Sequence, residues 1–337
     1  MKTEVEKNNT YMKGLIEAFP ENLTEALEIA KQTPLKRRYP KFYNVVICGM
    51  GGSGIGGKLV GSWIIDDISI PVNFCQNYTL PNYVDDNTLI IASSYSGNTE
   101  ETLSAIIEGH QKGATIIGIC SGGKLEAFCT ERNYDCIILP GGNPPRTALG
   151  FSVVQLTHIF GQLNLISKQK LNEFSAAKDL IVSNRNEIHT VAKQLADFIN
   201  GKELIIYCET KDEEIAVRAR QQFNENCKVL CNHHTIPEMN HNELVGWYGG
   251  TDRYAVLFLD THDWHVQNKK RLAFSIKTIK TKTNHVFTLS AKGDSRLARS
   301  LYLIHIIDLG SLYLAQTNAI DSTYIAVIEN LKTSLLN

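Results

Sequence analysis

The chain has 337 residues, 43% of them hydrophobic and 20% charged, with a formal net charge of −1. These values belong to a soluble globular protein with room for a substantial core in one or two domains, and they exclude a disordered chain. With no basic stripe, polybasic run or acidic tail, a nucleic-acid partner is not expected.

The first residues, MKTEVEKNNTYMKGL, are charged and lack the apolar core of a secretory signal. From Phe42 onward, short β-rich runs alternate with helical stretches. NVVICGM reads as a strand and IGGKLVGSWIID as the helix after it; PVNFCQN and TLIIASSY are the next strands. TEETLSAIIEGHQKG is an amphipathic helix with Leu103, Ile106 and Ile107 on one side, and ATIIGICS and DCIILPG complete the set. A helical zone runs from about Ser152 to Asn200. The alternation then restarts with ELIIYCET as strand, EEIAVRARQQFNENCK as helix and VLCNH as a short strand. RYAVLFLD and NHVFTLSA are strands around a helical NKKRLAFSIKTIKT, and two helices, Ser295 to Gln316 and Asp321 to about Leu335, close the pattern.

Strand–helix alternation with β-branched, doubly apolar strands predicts an α/β fold of two doubly wound units, each a mainly parallel sheet flanked by helices. The expected divisions are an N-terminal helical segment (1–40), a first α/β unit (41–165), a helical bridge (166–200), a second α/β unit (201–294) and C-terminal helices (295–337). LYLIHIIDLGSLYLA (Leu301 to Ala315) is interrupted by His305, Asp308 and Gly310 and is shorter than a bilayer span, so it reads as a buried helix and no membrane partner is expected. Eight cysteines are scattered singly, several inside apolar runs, a usage that points to reduced thiols and a cytoplasmic protein.

VVICGMGGSGIGGKLV places a glycine-rich turn after the first strand, where backbone N–H groups and a helix N-terminus make a ready anion site. Gly49, Gly51 and Gly54 fit the G-x-G-x-x-G spacing of dinucleotide folds, but the next strand ends NFCQN, without the carboxylate that would bind a ribose. A Walker loop is excluded because Lys58 is not part of a GK[ST] triplet. No nucleotide or other cofactor is therefore expected. A second turn, SSYSGNTEET, follows TLIIA and opens another helix, offering the hydroxyls of Ser94, Ser96 and Thr99 around Gly97. Such a turn suits the dianion of a phosphomonoester, although Ser and Thr also cap ordinary helices. Paired with Gly52 and Ser53 in the first turn, it favours phosphate binding.

GMGGSGIGG followed by SSYSGNTEET resembles the sugar isomerase (SIS) domain family, which binds phosphosugars on this Ser/Thr-rich turn. GGNPPRTALG, FNENCK and NHNELVGW resemble one branch of it, the bifunctional phosphoglucose/phosphomannose isomerases. The resemblance spans nearly the whole chain and implies two SIS units, a phosphosugar substrate, and aldose–ketose isomerisation through a cis-enediol without metal or redox cofactor. That chemistry needs a base, a ring-opening group and a cation near the enediolate.

On the helix carrying FNENCK, the apolar stripe is Ile215, Ala219, Phe223 and Cys227. Glu225 lies about 200° from Phe223 on the polar face with Arg218 and Gln222. Spacing alone makes it a solvated carboxylate, whereas the resemblance makes it the catalytic base. His241 in NHNELVGW is by itself an ordinary histidine. By resemblance it is the ring-opening acid/base, contributed across a homodimer interface. Arg146, a surface arginine by its proline turn alone, would stabilise the enediolate. Lys332, on a last helix with the stripe Tyr324, Ile328, Leu331 and Leu335, would lie near the ring oxygen, and Thr323 in the substrate pocket. Tyr324 stands where many relatives have proline after that threonine.

Cys227, Cys231, His233 and His234 cluster near His241, but their spacing is not that of a zinc site, and no metal is expected. THDWH (Thr261 to His265) reads as a polar loop. The competing functions are another SIS phosphosugar isomerase, a non-catalytic phosphosugar sensor and an NAD-dependent enzyme. The repeated architecture and NHNELVGW count against the first. A sensor would not need Glu225, His241 and Arg146 together.

Overall fold

The computed structural model describes residues 3–335. The chain divides into two compact units, one formed by Ala18–Asp179 and the other by the described residues of Met1–Glu17 and Leu180–Asn337.

Helix α1 (Glu4–Glu17) belongs to the discontinuous unit. The continuous unit begins with α2 (Phe19–Gln32) and runs through β1 (Asn44–Cys48), α3 (Gly51–Ile64), β2 (Val72–Cys75), β3 (Thr88–Ser93) and α4 (Glu100–Gln111). β4 (Thr115–Cys120), α5 (Gly123–Glu131), β5 (Asp135–Ile138) and α6 (Leu149–Gln162) follow, then α7 (Asn172–Ser183), within which the boundary falls. The five strands are all parallel in the order β2-β1-β3-β4-β5. β3 is buried at every residue, as a strand covered on both faces must be. Helix α6 is buried from Leu149 through Gly161.

The discontinuous unit adds α8 (Arg185–Ile199), β6 (Glu203–Glu209), α9 (Glu213–Cys227), β7 (Cys231–Ile236), α10 (Glu243–Gly246), β8 (Tyr254–Asp260), α11 (Val266–Ile279) and β9 (Val286–Ser290). It ends in α12 (Arg296–Thr317) and α13 (Ala326–Ser334). Its four strands are parallel in the order β7-β6-β8-β9, the first sheet's winding repeated with one strand fewer. Of the described helices α12 alone is long and apolar enough to cross a bilayer, but 89% of its apolar window is buried in the protein, as a core helix requires. It packs on α8, α9 and α1.

The elements read from the sequence are present, and the structure adds some. SGGKLEAFCTE carries α5, whose opening Gly122 and Gly123 hid a short helix. The zone from Ser152 to Asn200 is α6, α7 and α8 with a 3₁₀ turn at Lys168–Leu171. THDWH is not simply a polar loop. Thr261 and Trp264 are buried, and the Thr261 hydroxyl donates to Asp212 at 2.6 Å.

Candidate active site

In a doubly wound sheet, ligands bind beyond the carboxyl ends of the strands where the winding reverses. In the continuous unit that point lies between β1 and β3, and the glycine-rich turn after β1 and the Ser/Thr-rich turn after β3 sit there. Gly52 and Ser53 lie in the first turn of α3, whose N-cap residue Met50 makes no side-chain cap. The buried Ser53 hydroxyl accepts the Tyr95 N–H at 3.1 Å, joining the first turn to the second. Ser94 and Thr99 share a 2.8 Å hydroxyl–hydroxyl bond. Thr99 is the N-cap of α4 yet makes no capping bond, so the first amides of α4 have no side-chain oxygen from it. Ser96 is exposed beside them and accepts from the Asn98 N–H at 3.3 Å. Thr102, one turn into α4, has a buried hydroxyl without a hydrogen-bond partner.

A neighbouring loop holds this turn in shape. Gly97 has φ +66°, and a Cβ there would come within 1.7 Å of the Gly122 carbonyl oxygen. The Ser121 hydroxyl and N–H both donate to the Tyr95 carbonyl, at 2.7 and 2.8 Å, and Lys124 N–H donates to Asn98 Oδ1 at 3.1 Å. Ser121 and Gly122 escape motif reading because they reach the turn from the end of a neighbouring strand, β4, which spacing within the motif does not report.

Arg146 is not a surface residue. It is 4% exposed in a 3₁₀ turn, Pro145–Thr147, that abuts α3. A Cβ on Gly52 would lie 2.8 Å from the Pro145 carbonyl oxygen and 3.6 Å from the Arg146 Cα. The continuous unit therefore brings together Gly52, Ser53, Ser94, Ser96, Thr99 and a buried guanidinium.

The remaining candidates stand on four elements of the other unit. Glu225 is half-buried near the end of α9. Its helix face is not a solvated one: Arg218, Gln222 and Asn226 are buried. Arg218 donates to both carboxylate oxygens of Asp308 on α12, at 3.2 and 2.7 Å, and Asn226 donates to Ser311 at 2.9 Å. α9 thus has an apolar face on the sheet and a polar face against α12. His241 ends a 3₁₀ turn, Glu238–His241, and is exposed. Thr323 precedes α13, and its hydroxyl donates to Asp321 at 2.7 Å. Lys332 is exposed on α13, which begins at Ala326 and not at the expected Asp321, so Tyr324 precedes the helix and Leu335 follows it; Tyr324, Ile328, Leu331 and Leu335 are all exposed.

The Cys/His group does not converge. The Cys227 thiol donates to the Phe223 carbonyl, while His233 and His234 alternate on β7 and meet Glu213 at 3.3 Å and Glu243 at 2.6 Å. Among the described residues no group of three or more His, Cys, Asp or Glu is placed to hold a metal ion.

The model of the SIS domain matches residues 41–143, and that of the bacterial phospho-glucose isomerase C-terminal SIS domain matches 188–335. The bifunctional phosphoglucose/phosphomannose isomerase of Caldicellulosiruptor bescii is 38% identical over 94% of this chain and 96% of its own. That of Aquifex aeolicus is 34% identical over 93% and 95%. The solved C-terminal domain of glucosamine-fructose-6-phosphate aminotransferase from Francisella tularensis shares the fold, with TM-score 0.71 at 15% identity, over 91% of this chain and 96% of that one. Similarity of this extent to the isomerases, over the residues of both sheets, makes the chain a member of the SIS-domain family of bifunctional phosphoglucose/phosphomannose isomerases, enzymes that interconvert aldoses and ketoses.

Proposed function

We propose that this enzyme interconverts fructose 6-phosphate with glucose 6-phosphate and mannose 6-phosphate. Ser53, Ser94, Ser96 and Thr99, with the backbone at Gly52, hold the phosphate. The observation that carries the reading is the Ser94–Thr99 hydroxyl pair at a helix N-terminus that Thr99 does not cap. Amides at such a terminus favour a dianion.

His241, supplied by a second copy of the chain in a homodimer, moves the proton of the anomeric hydroxyl on C2 to the ring oxygen as the bond from C2 to that oxygen breaks, opening the sugar to its ketone. Glu225 then removes a proton from C1 of the ketose, and Arg146 stabilises the negative charge that develops on the enediolate. Burial favours this role for Arg146, since a guanidinium stays charged where other bases would neutralise. Lys332 serves the ring oxygen, with Thr323 beside the substrate. A planar enediol keeps no memory of configuration at C2, so one intermediate yields both aldoses when the proton returns to that carbon. Each step moves a proton and no electron pair leaves the sugar, so neither redox cofactor nor metal is needed. All eight cysteines are free thiols, which fits a reducing, cytoplasmic setting.

The test is turnover of fructose 6-phosphate by purified protein, with both aldoses measured. Glu225→Gln is expected to lower kcat by at least roughly 100-fold while phosphosugar affinity changes little. Wild-type turnover is expected to survive a chelator. An active Glu225→Gln enzyme, or activity lost to the chelator and restored by a metal, would overturn the mechanism.

A further inference from the structure

We propose that Glu243 is a positioning residue for the reaction, its carboxylate gripped by Tyr207 and His234 so as to fix the loop that presents His241. The inference rests on His241 being the ring-opening group.

The Tyr207 hydroxyl donates to one carboxylate oxygen of Glu243 at 2.5 Å, and His234 Nδ1–H donates to the other at 2.6 Å. Tyr207 lies on β6, fully buried, and its hydroxyl also accepts the indole N–H of Trp247 at 2.9 Å. Burial, and then the bond to Glu243, push the phenol well above its ordinary range, so it stays a donor to the carboxylate. Both oxygens are thus engaged from two adjacent strands, in line with the register of Tyr207 against His234.

The same loop is tied down on either side of His241. Met239 is fully buried, and Asn240 donates to Ser275 at 2.8 Å. Asn242 donates to Glu238 at 2.9 Å and caps α10 by accepting the Glu243 N–H at 2.5 Å. His241 between them is exposed. Met239 and Trp247 pack in the apolar cluster over the sheet, but apolar contacts have little direction. A carboxylate bonded at both oxygens fixes the rotation of the turn two residues beyond His241, and so where the imidazole points. None of this cluster follows from motif spacing, since Tyr207, His234 and Glu243 come from three elements.

The experiment compares two substrates. Fructose 6-phosphate is largely ring-closed, whereas 5-deoxyfructose 6-phosphate lacks the ring-closing hydroxyl and needs no opening. His241→Asn is the reference, expected to lower kcat/KM on fructose 6-phosphate by about 100-fold or more and leave the acyclic substrate within about twofold. Glu243→Gln is expected to show the same split with a loss of roughly 10- to 100-fold, and the near-isosteric Tyr207→Phe a smaller one in the same direction. The double variant His241→Asn/Glu243→Gln should be no slower on fructose 6-phosphate than His241→Asn alone. Equal losses on both substrates in Glu243→Gln and Tyr207→Phe, or losses that add in the double variant, would overturn the positioning role. No split in the His241→Asn enzyme would instead overturn the ring-opening assignment beneath it.

Discussion

Thr99 occupies an N-cap position, but its hydroxyl is bonded to Ser94 instead of to the helix it precedes. The two readings of that hydroxyl therefore separate in the laboratory. A working cap contributes about 1 kcal/mol, so a capping role predicts a lower melting temperature for Thr99→Val. The geometry predicts little change in stability and a rise in KM of roughly tenfold or more, shared by Ser94→Ala, as a bond to a charged ligand is lost. Substrate titration beside a thermal melt of each variant decides the matter. The hydroxyls themselves stand in SSYSGNT, but the turn alone reads equally well as an ordinary cap, and only its pairing with Gly52 and Ser53 favours a phosphate. The buried state of Arg146 was not, since a proline turn ordinarily lies at a surface and only the close approach of α3 at Gly52 encloses it.

α9 and α12 explain one another. The apolar run of α12 is interrupted by Asp308 because Arg218 arrives from α9, and by Gly310 because α8 is close, with Leu195 Cδ2 only 3.1 Å from where a Cβ would stand. Helical period separated the two faces of α9 correctly, but a polar face looks the same in sequence whether it meets water or another polar face. Arg218→Met should destabilise the protein by about 3–5 kcal/mol, because it leaves the Asp308 carboxylate buried without its partner. Adding Asp308→Leu should recover much of that loss in urea unfolding, since the isolated charge is then gone. An Arg218→Met protein as stable as wild type would show the pair to be dispensable.

Over the whole molecule, acid is expected to act through buried imidazoles. His305 on α12 has its pKa lowered to about 3, by burial first and then by His189 and Arg185. His158, His189 and His233 are lowered too, each chiefly by burial. A group that binds its proton more readily when unfolded favours unfolding as pH falls. Stability is therefore full above the ordinary histidine value of 6.5 and declines as pH drops through it toward about 3. His305 alone contributes a slope of up to about 1.4 kcal/mol per pH unit in that window. Urea midpoints between pH 7 and 4, on wild type and His305→Asn, measure it; equal slopes would remove His305 from the account. The paired α/β units were visible in strand–helix alternation because parallel strands are apolar on both faces. What alternation could not reveal is which helices share a unit. Asn9 on α1 donates to the Ile320 carbonyl, 311 residues away, and accepts the Ser322 N–H. During synthesis α1 emerges ahead of the Ala18–Asp179 unit, and this partner turn emerges after it. The Ala18–Asp179 unit has its whole sequence long before then, so units that generally fold in the order they emerge must here close in the order they are completed. A helix that emerges ahead of that unit can reach these partners only after the unit's sequence is complete.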